Sequence, residues 1–114
     1  AFDLVQNILI GQGVTVTNVQ FTGDNAQKAY FYGTTNIGFT DGILLTTGGA
    51  TVAIGPNTTG SANVAVNTAG DADLENIINY ATNDASVLEF DFIPQADTIS
   101  FNYVFASEEY PEFV

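Results

Sequence analysis

Three glutamates close to the end of the chain are the residues whose type and spacing point most directly to chemistry. Glu108, Glu109 and Glu112 lie within the segment FASEEYPEFV and are called here the C-terminal glutamates. No Lys or Arg in that segment can neutralise them. Because calcium is held by oxygen ligands, they are candidate calcium ligands, together with a loop aspartate such as Asp41 or Asp71. The alternative is three solvated carboxylates at a strand end.

Carboxylates can also cleave glycosidic bonds, and this is the one catalytic chemistry that the composition leaves open. The reaction needs two carboxyl groups several ångströms apart across a sugar. Glu108 and Glu109 are adjacent and would point to opposite faces of a strand, so only Glu108 with Glu112 or with a distant Asp fits. The chain has no Trp, no Arg and no His to build the rest of a sugar-cleaving site. We therefore expect no enzymatic activity.

The absence of His and Cys excludes most other active sites. Without these residues the chain has no Ser-His-Asp triad, no Cys-His pair, no disulfide and no imidazole or thiolate zinc site. The Gly-rich stretch TTGGAT lacks the Lys and the spacing of a phosphate-binding loop.

A strongly acidic balance limits the partners of the chain. Thirteen Asp and Glu residues stand against one basic residue, Lys28, which gives a net charge of −12 over 114 residues. Nucleic acid is excluded as a partner because phosphate contacts need Lys and Arg, and anionic lipid surfaces would be repelled. Divalent cations would be attracted. No run of eighteen apolar residues is present, so no membrane span is expected.

Two further patterns have a simpler interpretation than a functional site. The run from Asp71 to Asn76 resembles the start of an EF-hand, but it lacks the required Gly at position 6 and has Thr82 at position 12. Acidic residues at a helix N-terminus explain it better. Lys28 could form an internal amide cross-link of the kind found in β-sandwich adhesins, whereas a solvent-facing lysine in a turn is the simpler interpretation.

Two segments carry the spacing of amphipathic helices. Apolar residues recur at helical spacing in FDLVQNILIG, which predicts a helix over residues 2–10 that stops at Gly11. The same spacing in ADLENIINYA predicts a second helix over residues 72–81, capped by Asp71 or Asp73.

Alternating apolar residues predict that the rest of the chain is mainly β. The alternation in VTVTNVQFT slips at Val19, so we expect a β-bulge near Asn18. The stretches VLEFDFIP and TISFNYVFAS predict an antiparallel hairpin of residues 86–93 and 98–106. The predicted fold is an antiparallel β-sandwich, jelly-roll-like, with the first helix at one end. Its core should contain Phe90, Phe92, Phe101, Tyr103 and Phe105.

Four stretches of the sequence, taken in order, carry a resemblance to a known family. They are LVQNILIGQGVTVTNVQFTG, NIGFTDGILLTTG, GDADLENI and DASVLEFDFIPQADTISFNYVFASEEYPEFV, which cover essentially residues 4–114. In these stretches the chain resembles the choice-of-anchor L domain of bacterial secreted and surface proteins. Family members continue after the SEEYPEFV segment into further strands. The resemblance therefore implies that residues 1–114 are the N-terminal part of such a domain, incomplete and truncated after Val114.

The resemblance also implies a location and a role. It implies an extracellular or outer cell-surface protein after removal of a signal peptide, and the start at Ala1 fits either a processed end or a fragment boundary. The implied role is a non-enzymatic module of a large secreted protein in adhesion or gliding, exported by a type IX-like route as in Bacteroidetes. Its partners would be secretion machinery or other surface proteins, and glycans. The alternative is a calcium-dependent carbohydrate-binding or carbohydrate-active domain.

Overall fold

Two antiparallel sheets of two strands each form the frame of the fold, as seen in the computed structural model, which describes residues 1–10 and 13–107. The first sheet pairs β1 (Thr15–Thr22) with β4 (Val87–Ile93). The second pairs β2 (Lys28–Tyr32) with β3 (Asp41–Leu45). The predicted class, a mainly β antiparallel domain with short helices, is confirmed.

Short helical segments precede and connect the strands. The first, α1 (Phe2–Leu4), continues directly as a π-helical segment (Val5–Leu9), and the backbone is extended at Ile10. The second, α2 (Ala72–Ile78), lies between β3 and β4 in the chain. Two 3-10 segments, Asn25–Gln27 and Ala50–Ile54, complete the set. Both predicted helices are present, although the second ends at Ile78 and not at residue 81. The predicted stop of the first at Gly11 lies outside the described residues.

The N-terminal helical segment joins the two sheets. Its π-helical part contacts β1 of one sheet and β3 of the other. Val5 is fully buried at this junction, and Leu4 and Ile8 are half-buried. Most of the apolar stripe predicted from the sequence therefore packs inward, because removing these side chains from water stabilises the contact with both sheets, whereas Leu9 is 44% exposed.

The predicted bulge in β1 is present where the alternation slips. The register of β1 on β4 shifts between Thr17 and Gln20, and Asn18 has a φ of 52°. Asn tolerates this left-handed conformation better than most residues. The bulge restores the phase, so that Val16 faces Phe92 and Phe21 faces Leu88 across the strands.

The predicted hairpin of residues 86–93 and 98–106 is wrong. Residues 98–107 form no strand, and β4 pairs instead with β1, more than sixty positions earlier in the chain. A hairpin would cost less chain entropy because its loop is short. The observed partner of β4 is the distant β1, whose Val16 and Phe21 lie opposite Phe92 and Leu88, and Pro94 supplies no backbone donor directly after β4.

The predicted aromatic core is also wrong. Phe90 is half-buried and Phe92 lies 37% exposed on the face of β4 that covers Val16. Phe101, Tyr103 and Phe105 are 75%, 76% and 84% exposed. Without a ladder to hold residues 98–107 on β4, their alternating side chains have no sheet face to cover. The most buried hydrophobic residues among those described are Val5, Val16 and Ala85.

A buried glutamine ties together segments that are far apart in the sequence. The Gln27 side chain is fully buried, and its Oε1 accepts a hydrogen bond from the backbone N–H of Asp24 at 2.6 Å. Its Nε2 donates to the carbonyl oxygens of Thr47 at 3.2 Å and Asp84 at 2.8 Å. One amide therefore links the 3-10 segment, the end of β3 and the segment before β4. Gly23 adjoins it, because a Cβ there would lie 2.6 Å from Gln27 Oε1.

Candidate functional site

The predicted calcium ligands lie only partly within the described part of the chain. The C-terminal glutamates, residues 108, 109 and 112, lie outside the described residues. Of the two loop aspartates predicted to accompany them, Asp41 opens β3 and Asp71 precedes α2. Within residues 1–10 and 13–107, no group of three or more Asp or Glu side chains could hold a metal ion. The calcium site stays a prediction.

The EF-hand-like run at residues 71–76 serves local structure. Asp71 Oδ1 accepts a hydrogen bond from the backbone N–H of Leu74 at 2.9 Å, which makes Asp71 the cap of α2. Glu75 Oε1 accepts from the backbone N–H of Thr82 at 2.9 Å and thereby fixes the chain after the helix. The helix ends at Asn79, whose φ of 59° is left-handed. These carboxylates stabilise a helix end, as the simpler interpretation predicted.

Lys28 lies over an aromatic ring. Its Nζ is 3.8 Å from the centroid of the Phe21 ring and donates a hydrogen bond to Asn25 Oδ1. The lysine is half-buried, and its contact with Asn25 is solvent-exposed. A cation held by a ring face and an amide oxygen accounts for this side chain without a covalent cross-link.

The outer face of the β2–β3 sheet carries two stacked tyrosines. Side chains alternate along a strand, so Lys28, Tyr30 and Tyr32 share one face and Phe31 lies on the other. The rings of Tyr30 and Tyr32 stack with centroids 5.5 Å apart and planes inclined by 24°. Tyr30 is 43% and Tyr32 is 77% exposed. Gly42, opposite Phe31, leaves room for that ring, since a Cβ would lie 2.9 Å from it.

Asp41 completes this surface, which is called here the tyrosine face and consists of Tyr30, Tyr32, Asp41 and Ile43. The register places Asp41 directly opposite Tyr32 and Ile43 directly opposite Tyr30. Residues directly opposite in an antiparallel pair have Cβ atoms about 4.5–5.5 Å apart. The Asp41 carboxylate accepts from the Thr40 hydroxyl at 3.2 Å. The face therefore combines an accessible aromatic surface, an apolar side chain and one exposed carboxylate.

Sequence reasoning did not single out the tyrosine face as a site. It identified AYFY as a short aromatic strand, and the signal was present in the Tyr-Phe-Tyr alternation, which places both tyrosines on one face. The sequence does not show which strand pairs with β2 or in which register. The partner strand and its register decide which residue faces Tyr32, and only the pairing of β2 with β3 shows that it is an acid.

Among the described residues, other large apolar side chains are exposed as well, and two groups of them lie on α2 and over residues 99–105. The apolar side of α2 is exposed, with Leu74 at 49% and Ile77 at 78%, and Tyr80 follows at 78%. The segment from Ile99 to Phe105 is exposed along its length. Exposed aromatic and aliphatic side chains in such number are typical of surfaces that contact other protein.

An open groove on the β1–β4 sheet contains polar side chains but none of the predicted site residues. It has a volume of about 540 Å³ and is lined by Asn18, Gln20 and residues 88–92. Asn18 Nδ2 donates to Asp91 Oδ2 at 2.6 Å, so the bulge residue fixes the neighbouring carboxylate. This contact stabilises the irregular register and assigns Asp91 a structural partner.

Comparison with known families decides which kind of domain carries these surfaces. The family model described as the choice-of-anchor L domain matches residues 1–114, the whole chain. The chain belongs to this family. Choice-of-anchor L domains are surface modules that are generally not catalytic, and membership makes this chain part of a secreted or cell-surface protein. No curated protein and no solved structure matches the chain.

The helices of this choice-of-anchor L domain are short. Across the described ranges, 1–10 and 13–107, none is long and apolar enough to cross a membrane. The longest regular helix among them, α2, has seven residues.

Proposed function

We propose that this choice-of-anchor L domain is a non-enzymatic adhesion module of a large secreted surface protein. The observation that carries the proposal is the match of the family to all 114 residues. Adhesion requires a surface that a partner can cover, and aromatic side chains contribute most to such contacts. The exposed tyrosines of β2 and the exposed aromatic residues of the 99–105 segment offer surface of this kind.

The composition supports a binding role over a catalytic one. The whole sequence contains no His or Cys and one basic residue, so the groups most often used to activate a nucleophile are absent. We propose a type IX-like export route, with secretion machinery and other surface proteins as partners, in attachment or gliding.

The location is tested on intact cells of the native source. Antibodies raised against the purified chain should label unpermeabilised cells, and protease added outside should remove the label. A strain without type IX secretion should lose the surface label and retain the protein inside. Surface label that persists in that strain would contradict the export route, and label seen only after permeabilisation would contradict the location.

The role is tested by an in-frame deletion of residues 1–114 and by its repair with the wild-type segment. The deletion should reduce attachment or gliding, and repair should restore it. Catalysis is tested with Glu108→Gln, which removes a carboxylate that glycoside hydrolysis would need. A hydrolytic activity of the purified protein that Glu108→Gln abolishes would overturn the proposal in favour of a carbohydrate-active domain.

A further inference from the structure

We propose that the tyrosine face binds an arginine-bearing segment of a partner protein, with a guanidinium group over the Tyr32 ring and beside the Asp41 carboxylate. The inference deepens the proposed adhesion function and rests on it for the biological setting. The binding chemistry itself is a property of this chain and is testable without cells.

Charge complementarity identifies the partner as a cation. The chain carries a net charge of −12, and Lys28 is its only basic side chain. That side chain is already placed over Phe21, so no Lys or Arg of the chain remains for the tyrosine face. The net negative charge attracts positively charged groups, and Tyr32 offers them an aromatic ring that is 77% exposed. Such a ring attracts cations through its negative face.

Lys28 shows the same arrangement inside the molecule. There a cation lies over the ring of Phe21 and donates to the side-chain oxygen of Asn25. The tyrosine face offers the same two groups, a ring and an oxygen acceptor, but its oxygen belongs to the carboxylate of Asp41. A charged acceptor strengthens a hydrogen bond from a cation, so this second position is the better site for an incoming group.

The shape of the site favours arginine over lysine. The guanidinium group is planar and can lie flat on an aromatic ring while its edge donates hydrogen bonds to a carboxylate. The Tyr30 ring stacks against the Tyr32 ring and continues the aromatic surface along the strand, with ring centroids 5.5 Å apart. The half-buried Ile43 beside Tyr30 can receive the aliphatic part of the arginine side chain.

Three peptides that differ in one type of side chain provide the first test. Each consists of uncharged Gly and Ser residues and of two copies of arginine, lysine or citrulline. Citrulline has the shape of arginine without its charge. The purified chain is titrated by NMR at low salt and at about 0.15 M salt. We expect the arginine peptide to bind most tightly and to shift the signals of Tyr30, Tyr32 and Asp41. Equal binding of the citrulline peptide, or of the lysine peptide, would overturn the assignment.

Variants with matched controls separate this site from general charge attraction. Asp41→Asn should weaken binding of the arginine peptide by about three-fold or more, since a charge-assisted bond is lost. Asp97→Asn removes the same charge from an exposed acid that likewise accepts from its neighbouring threonine, at 3.3 Å. It should change binding far less. Equal losses in the two variants would show attraction by net charge alone and would overturn the proposal.

The ring is tested in the same way. Tyr32→Leu should weaken binding by about two- to five-fold, whereas Tyr32→Phe keeps the ring and should bind as the parent does. Tyr80→Leu is the control, because Tyr80 is 78% exposed and lies after α2. Unchanged binding in Tyr32→Leu would overturn the proposal. If the peptide binds as expected and deletion of the segment leaves attachment intact, the adhesion role fails while the arginine site stands.

Discussion

Replacing the buried glutamine tests whether one polar side chain holds the segments of this domain together. Gln27→Leu keeps the approximate size of the side chain and removes its four hydrogen bonds. These join it to Asp24, Thr47, Asp84 and the Thr68 hydroxyl and are 2.6, 3.2, 2.8 and 3.4 Å long. Each such bond contributes about 0.5–1.5 kcal/mol, and the two carbonyl oxygens left without this donor add a penalty. We expect the free energy of unfolding to fall by about 3 kcal/mol. For a small domain this is a large share of the total stability.

Urea unfolding followed by circular dichroism and tyrosine fluorescence measures this change. The control is Gln20→Leu, the same substitution on the exposed side of β1, which should alter the free energy of unfolding by no more than about 0.5 kcal/mol. A Gln27→Leu variant that unfolds at the same urea concentration as the control would refute the reasoning. It would mean that water or neighbouring groups replace the amide at no cost.

Three further substitutions or additions have defined outcomes. Gly23→Ala should lower the free energy of unfolding by more than about 1 kcal/mol, because φ is +137° and the new Cβ would meet Gln27 Oε1 and the Ala85 carbonyl oxygen. Gly33→Ala is the control in the same urea assay, because its φ is +108° but its new Cβ would meet no atom within 4 Å. The difference between the two variants therefore measures the steric collision apart from the backbone strain. Asp71→Ala should lower the free energy of unfolding by about 0.5–2 kcal/mol through loss of the α2 cap, and equal helix content and stability would contradict that role. Millimolar calcium should raise the melting temperature relative to chelator, and glutamine at all three C-terminal glutamates should abolish the rise; a melting temperature that calcium leaves unchanged in the parent would eliminate the site.

Local features of the fold could be predicted because neighbouring residues determine them. The bulge at Asn18 follows from a break in alternation, and the cap at Asp71 follows from an acid before an apolar helical pattern. In both cases the interacting groups are within a few residues of each other or the pattern itself records the irregularity. The class of the fold and the family could also be predicted from the sequence, since the class depends on periodicity and the family on ordered motifs.

The candidate site was accessible only in part. The sequence places Tyr30 and Tyr32 on one face of a strand, but it does not say which strand lies beside them or whether the face is covered. The acid opposite Tyr32 is nine positions away and is brought there by the register of β2 on β3. The predicted calcium ligands were chosen by charge alone, and they stay a prediction.

The sequence by itself determined the charge, the excluded chemistries, the helices, the β-bulge and the family. The tertiary structure decided which strands pair. The partner of β4 is β1, and residues 98–107 form no strand. It also decided that Gln27 is buried while Phe101, Tyr103 and Phe105 are exposed, the reverse of what their polarity suggests. The physical reason is that burial depends on partners. A glutamine can be buried where three backbone groups satisfy its amide, and an aromatic side chain stays in solvent where no sheet face lies against it.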